Sequence, residues 1–336
     1  MKLALVFALG FVCAPVAHGQ LTPELQRIFG RPVAVGEAAE FGTLLSHDLY
    51  ADGSLAIVEL KRYDVTRLAP DGRVIWRSGR QGKGPGEFSL PYRVVVLRDQ
   101  SILVHDLNKP GWSHIDQNGK YVGEVDIDVK VRIENVETLP TGEVVIAGVT
   151  EDSRGKGRAI HVFTPELKHV RSFGRLPETK DPRTLQSVGA GGLSITANGQ
   201  ILHTRMYPYE ISRYTVDGFE TARLRMKPKV ATPEDYVHID VYEGRVTRII
   251  NPSALRPVPA KDLGNGQFLG GRLAKQELTV DLINDKGEIV STGTFPPGWQ
   301  YISEIDYQRG VFWVSGESDD VPVMWRMPFG PAMPLR

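Results

Sequence analysis

Lys61, Arg62, Asp106, Asn108, Arg205, Tyr207, Arg272 and Glu317 each follow the second apolar run of a unit that recurs along the chain. The segments joining one unit to the next add Arg93 and Arg132. Guanidinium groups grip carboxylate or phosphate in bidentate fashion, and tyrosine stacks on rings, so such a set suits an anionic or sugar-like ligand. Arg93, Asp106, Asn108, Arg132, Arg205, Tyr207 and Arg272 are the ligand-binding candidates. A protein partner on the same surface is the other expectation. No residue is assigned a catalytic role.

Other chemistries find less support. There is no Gly-x-Ser-x-Gly elbow, no His-Glu-x-x-His and no calcium-loop spacing. Gly82-Lys83-Gly84-Pro85-Gly86 is followed by Phe88, Pro91 and a strand pattern. A phosphate loop needs Ser or Thr and then a helix there. No cofactor or metal is expected in the main reading. In the alternative, His47, His105 and His203, scattered over several units, help hold a Ca or Zn ion for a metal-dependent hydrolase or lyase.

The recurring unit is an apolar strand, a glycine-bearing turn and a second apolar strand. It occurs at Leu49–Val58, Val96–Val104, Thr138–Ile146, Ile195–His203, Leu263–Gly271 and Ile305–Val314. Runs rich in Val, Ile and Leu around Asp-Gly, Asn-Gly or Thr-Gly read as hairpins. A second hairpin follows each of the first five, at Thr66–Trp76, Ser113–Gly123, His161–Val170, Ile211–Thr221 and Asp281–Val290. The sixth unit has one further strand, Val321–Phe329. Four strands per unit at a spacing of roughly 40 to 65 residues predict an all-β, six-bladed β-propeller of four-stranded antiparallel blades. Phe29-Gly30-Arg31-Pro32 repeats the pattern of Phe173-Gly174-Arg175, which follows a fourth strand. Leu25–Phe29 is therefore expected to supply the missing strand of the last blade and close the ring.

Gly82–Gly123, with its Gly-rich opening, Phe88, Pro91 and Asp116-Gln117-Asn118-Gly119, resembles a blade of the NHL-repeat type of six-bladed propeller. Over the remaining units only the rhythm of strands and turns is similar to that family and to secreted bacterial six-bladed propellers. The resemblance implies an architecture, and fold alone does not choose a function.

One stretch, about residues 228–262, interrupts the rhythm. Thr232-Pro233-Glu234-Asp235 has the pattern of a helix start, and Ile239, Tyr242, Val246, Ile249 and Ile250 fall near one helical face. A helical insertion is expected, with a hairpin turning at Glu243-Gly244 as the alternative.

Residues 1–19 read as a secretory signal peptide. Met1-Lys2 is followed by the apolar run Leu3–Val16 and by Ala17-His18-Gly19. Residues 20–336 are then one propeller domain, secreted or periplasmic, without cysteine once Cys13 is removed and without a membrane span. The 40 basic residues match the 40 acidic ones, which argues against nucleic acid as a partner.

Overall fold

The computed structural model describes residues 21–35, 41–150, 157–176, 184–185, 189–205, 207–226, 237–242, 245–250, 256–274, 277–318, 321–331 and 333. The proposed signal peptide and Thr232-Pro233-Glu234-Asp235 lie outside them.

The turn chemistry sets the shape of each unit. In the first hairpins of blades 1 to 4 the turns run Tyr50–Ser54, Leu97–Ser101, Leu139–Glu143 and Thr196–Gln200. In each, the first N–H donates to the fifth carbonyl, and the fourth N–H donates back to the first carbonyl. The fourth residue must then be left-handed, a conformation that glycine adopts without a side-chain clash. Gly53, Gly142 and Gly199 fill it at φ of 84°, 96° and 81°, and Gln100 takes it at 69°.

Six four-stranded antiparallel sheets result. Blade 1 runs from its inner strand outward through Leu44–Leu49, Leu55–Glu59, Asp64–Leu68 and Val74–Ser78. Blade 2 is built from Pro91–Val96, Ile102–Asp106, Trp112–Ile115 and Tyr121–Val125. Blade 3 takes Val131–Thr138, Val144–Thr150, Ile160–Phe163 and His169–Phe173. Blade 4 takes Gly192–Ile195, Ile201–Arg205, Glu210–Tyr214 and Glu220–Arg225. Blade 5 comprises Arg256–Asp262, Phe268–Ala274, Glu277–Ile283 and Ile289–Thr294. Its inner strand lies inside the stretch read from the sequence as an insertion.

Blade 6 joins the two ends of the described chain. Trp299–Asp306, Val311–Ser318 and Val321–Pro328 are completed on the outside by Val33–Val35, with Val33 opposite Arg326 and Val35 opposite Met324. Closure by an N-terminal strand holds, but the strand is not Leu25–Phe29. Pro23–Ile28 is an α-helix, with Pro23 and Glu24 in its first turn. The reason is spacing: Leu25 and Ile28, three apart, both bury on the blade 5–blade 6 core, which a helix allows and a strand does not. Phe29 alone reaches the sheet, as a bridge to Phe329.

The expected helical insertion is also corrected. Val237–Tyr242 and Arg245–Ile250 form a separate two-stranded hairpin, with Val237 opposite Ile250 and Tyr242 opposite Arg245. Seven β-branched residues (Val237, Ile239, Val241, Val246, Thr247, Ile249 and Ile250) lie on the two strands, and strand pairing accommodates them better than a helix does.

The core is distributed between blades. Six buried apolar clusters each bridge one blade–blade interface. Polar bridges cross the same interfaces near the axis. Asp48 accepts from the Val96 N–H at 2.6 Å, and Asn135 accepts from the Leu193 N–H at 2.6 Å. Thr138 donates to the Val96 carbonyl at 2.7 Å, Ser194 to that of Ala260 at 2.5 Å and Tyr307 to that of Asp262 at 2.5 Å. Arg309 donates to the Ala51 carbonyl at 2.9 Å and so ties blade 6 to blade 1.

Phe29 is the anchor of the closing segment, packing edge-on against Phe295 at 5.2 Å and Phe312 at 5.0 Å. Phe29→Ala is expected to cost about 3–5 kcal/mol, and deletion of residues 21–36 to abolish the cooperative thermal transition. A deletion protein with an unchanged melting temperature would show that the ring closes without this segment.

Candidate functional site

The inner strands line the axis and end in the first hairpin turns, which gather on one face of the ring. The penultimate residue paired before the turn is Asp48 in blade 1, Glu137 in blade 3, Ser194 in blade 4 and Lys261 in blade 5. In blade 6 the penultimate paired residue is Ile305, and Glu304, one residue earlier, lines the same cavity. One repeated register position, shared by several blades, thus concentrates charge on the axis.

These side chains floor a funnel of about 590 Å³, to which all six blades contribute. Its collar is built from the second residue of successive turns: Ala51, Arg98, Pro140, Ala197 and Gln308. Three of these are small or compact, which leaves the mouth open. The walls include Leu49, Val96, Leu139 and Ile305. A concave site of this size, with apolar walls and a few convergent polar groups, is the usual form of a small-molecule site.

The floor carries three carboxyls and one ammonium. Lys261 Nζ lies 3.5 Å from Glu304 Oε2, and His47 Nε2 lies 3.8 Å from Glu304 Oε1. Asp48 accepts the N–H groups of Leu49 at 2.7 Å and Val96 at 2.6 Å. Glu137 lines the cavity, and its carboxyl has no hydrogen bond or ion pair among the described residues.

Burial governs the protonation of this group. Asp48 is pushed up to about 8 by burial and then by Glu304, against the pull of the Val96 and Leu49 N–H groups. Burial, reinforced by Glu304 and Asp48 and opposed by Lys261, raises Glu137 well above the usual carboxylate range. Glu304 is raised by burial, with Lys261 opposing. His47 is pushed down to about 3 by burial, then by Lys261 and Arg93, so it faces Glu304 as a neutral ring at physiological pH.

The residues singled out from the sequence lie toward the other face, where crossovers and second-to-third-strand turns meet. None of the seven lines the funnel or the smaller cavity of about 120 Å³ between blades 6 and 1. That smaller cavity is lined in part by Thr43, His47, Tyr301 and Glu317.

Each of the seven has a definite place. Asp106 is buried and accepts the N–H groups of Ser89 at 2.6 Å, Leu90 at 3.0 Å and Asn108 at 2.8 Å, stapling a crossover to a turn. Glu59 does the same in blade 1, with Gly42, Thr43, Lys61 and Arg62 as donors. Asn108 is exposed and donates to Ser89 at 3.1 Å. Arg93 stacks on Tyr92 at 3.8 Å and donates to the Glu134 carbonyl at 2.6 Å. Arg132, half exposed, lies 3.7 Å from Glu134.

Arg205 pairs with Glu210, which also holds Arg225 at 2.9 Å. Arg272 makes a bidentate pair with Asp281 at 2.9 and 3.0 Å. Tyr207 is buried and precedes a cis proline, Pro208. The structure brings Arg93 and Arg132 together around Glu134, and leaves Arg205 and Arg272 in separate pairs within blades 4 and 5.

The three histidines of the metal reading are apart as well. His203 is buried, with Nε2 at 2.7 Å from the Ala190 carbonyl, and His105 packs on Trp112 at 5.1 Å. Burial lowers both to about 4. Among the described residues, no three His, Cys, Asp or Glu side chains are grouped so as to hold a metal ion.

Sequence reasoning missed Asp48, Glu137, Lys261 and Glu304. The signal was one of register: Asp48, Glu137 and Lys261 fall in one column when the units are aligned on their turns.

The protonation pattern gives a stability prediction. The folded protein keeps the Asp48 proton up to about pH 8, whereas the unfolded chain loses it near 4. Between those values the folded state binds more protons, so this group's cost to stability is absent below pH ~4, grows with pH and is complete above ~8. His47 acts with the opposite sign, at lower pH. Asp48→Asn is expected to flatten the fall in melting temperature from pH 5 to pH 9. Equal slopes in the two proteins would place the proton elsewhere.

No family profile matches the chain, and no curated protein matches it significantly. Solved structures do. A gluconolactonase from Xanthomonas campestris is 11% identical with a TM-score of 0.56, covering 92% of this chain and 94% of that one. A member of the DUF4221 family from Bacteroides vulgatus is 10% identical with a TM-score of 0.58, over 93% and 98% of the two chains. A PQQ-bound aldose sugar dehydrogenase from Streptomyces coelicolor is 9% identical with a TM-score of 0.51, over 89% and 99%. These likenesses extend over nearly the whole chain, and at such low identity what they establish is the fold: a six-bladed β-propeller.

Proposed function

We propose that this protein is an exported β-propeller binding module that holds a small polar ligand in the axial funnel on its hairpin face. The carrying observation is the floor of that funnel. Charged side chains are costly to desolvate, and an apolar contact of similar size would close a ring at least as well. Asp48, Glu137, Lys261 and Glu304 nonetheless gather where six blades converge and where a cavity of about 590 Å³ gives access to them. Perturbed titratable groups lining a cleft are a mark of functional sites. Export is supported by the N-terminal pattern Met1–Gly19. Among the described residues, no helix is long and apolar enough to cross a membrane.

Ala197 is exposed on the collar, in a turn position that tolerates most residues. Ala197→Trp should narrow the mouth while leaving the melting temperature within about 2 °C of wild type. In a thermal-shift and NMR screen of small polar compounds, hits are expected to weaken at least tenfold in this variant. Hits that ignore Ala197→Trp but vanish in Arg132→Ala would move the site to the crossover face.

Elemental analysis of protein purified without chelator separates binding module from metal enzyme. Less than a tenth of an equivalent of Ca or Zn is expected. One equivalent, retained through dialysis, would favour a metal-dependent hydrolase or lyase.

A further inference from the structure

We infer that the funnel selects a ligand carrying a primary ammonium group, seated against Glu137 with Asp48 and Glu304 beside it. The inference rests on the funnel being the binding site, and it adds the chemistry of what enters.

The argument is one of unmet valence and of charge. Lys261 has Glu304 at 3.5 Å, and Asp48 is engaged by two backbone N–H groups. Glu137 has neither, yet its carboxyl faces the cavity. Glu137 is half-buried and its carboxyl opens to the cavity without a protein donor, so a ligand that displaces water from it must bring N–H donors of its own. An ammonium brings three and no acceptor.

Charge selects between donors. Three carboxyls face a single ammonium on this floor, so the floor stands to gain from one more positive charge and to lose from a negative one. Burial is the main cause of the raised proton affinity of Asp48, Glu137 and Glu304, and for the first two the neighbouring carboxyls add to it, so a proton or another cation eases the same crowding. His47, the remaining basic group beside Glu304, is held neutral and adds nothing at physiological pH.

The mouth has the opposite character. Arg98 is exposed on the collar and forms no ion pair among the described residues. Arg309, also at the mouth, is held by Asp306 at 3.0 Å. A ligand with its ammonium inward and an acceptor outward meets Glu137 at one end and Arg98 at the other.

A matched series tests this without knowledge of the natural ligand. The compounds 4-amino-1-butanol, 1,4-butanediol and 4-hydroxybutyrate share a length and one hydroxyl end, and differ only in carrying an ammonium, a hydroxyl or a carboxylate at the other. In NMR titrations at pH 7 the amino alcohol is expected to bind at least tenfold tighter than the diol, and 4-hydroxybutyrate most weakly. Glu137→Gln should weaken the amino alcohol about tenfold and leave the diol nearly unchanged.

Equal binding of the three by wild type overturns the inference even if Glu137→Gln fails to fold. So does an amino alcohol indifferent to that substitution, or one without saturable binding. If screening hits are still lost in Ala197→Trp, the funnel stands as the site and only the choice of ammonium falls. Hits indifferent to Ala197→Trp remove both.

Discussion

Every blade ends, toward the axis, in the free edge of its innermost strand, and the next blade must satisfy that edge. A strand edge presents unpaired N–H and C=O groups, and burying them unmet costs more than a single hydrogen bond returns. Here the groups are met by side chains reaching sideways: Asp48 and Thr138 both serve Val96, Asn135 serves Leu193, Ser194 serves Ala260, and Tyr307 serves Asp262. These bridges, with six apolar clusters behind them, make the blades interdependent. The same need for polar side chains near the axis brings carboxyls and hydroxyls into the interior, where some become available to a ligand.

Asp48 shows how structure and site merge. One of its oxygens takes the Val96 N–H across the blade interface, and the side chain also lines the funnel. Its neighbours at the same register position divide the work differently. Ser194 bridges to the Ala260 carbonyl, Lys261 is held by Glu304, and Glu137 is left facing the cavity. A repeated backbone position therefore carries four side chains in four electrostatic situations, which is how a symmetric ring acquires an asymmetric pocket. On the opposite face comparable acids are spent on the fold. Asp106 and Glu59 collect backbone N–H groups where a crossover meets a turn, and Asp281 holds Arg272.

The strand rhythm was legible because it depends on local chemistry. Asp52-Gly53, Thr141-Gly142 and Asn198-Gly199 force a left-handed residue at a fixed point, and the Val- and Ile-rich flanks pair around it. The closing segment was legible only in outline. Phe29-Gly30-Arg31-Pro32 marked the right neighbourhood, but Pro23 and the three-residue spacing of Leu25 and Ile28 made a helix there, and Val33–Val35 became the strand. In the insertion, acids and a proline suggested a helix start, while the β-branched residues beyond it paired as strands. The candidate binding residues follow from position, on second-to-third-strand loops and crossovers that share one face. Arg205 and Arg272 turned out to have acidic partners within their own blades.

The sequence by itself determined the all-β class, the number of blades and the positions of the turns, because glycine conformation and β-propensity act over a few residues. Tertiary structure decided which charges are consumed and which face a cavity. Asp48, Glu137, Lys261 and Glu304 come from four blades and are far apart along the chain. Their proximity, and the rise in carboxyl proton affinity that comes chiefly from burial, exist only once the ring has closed around them.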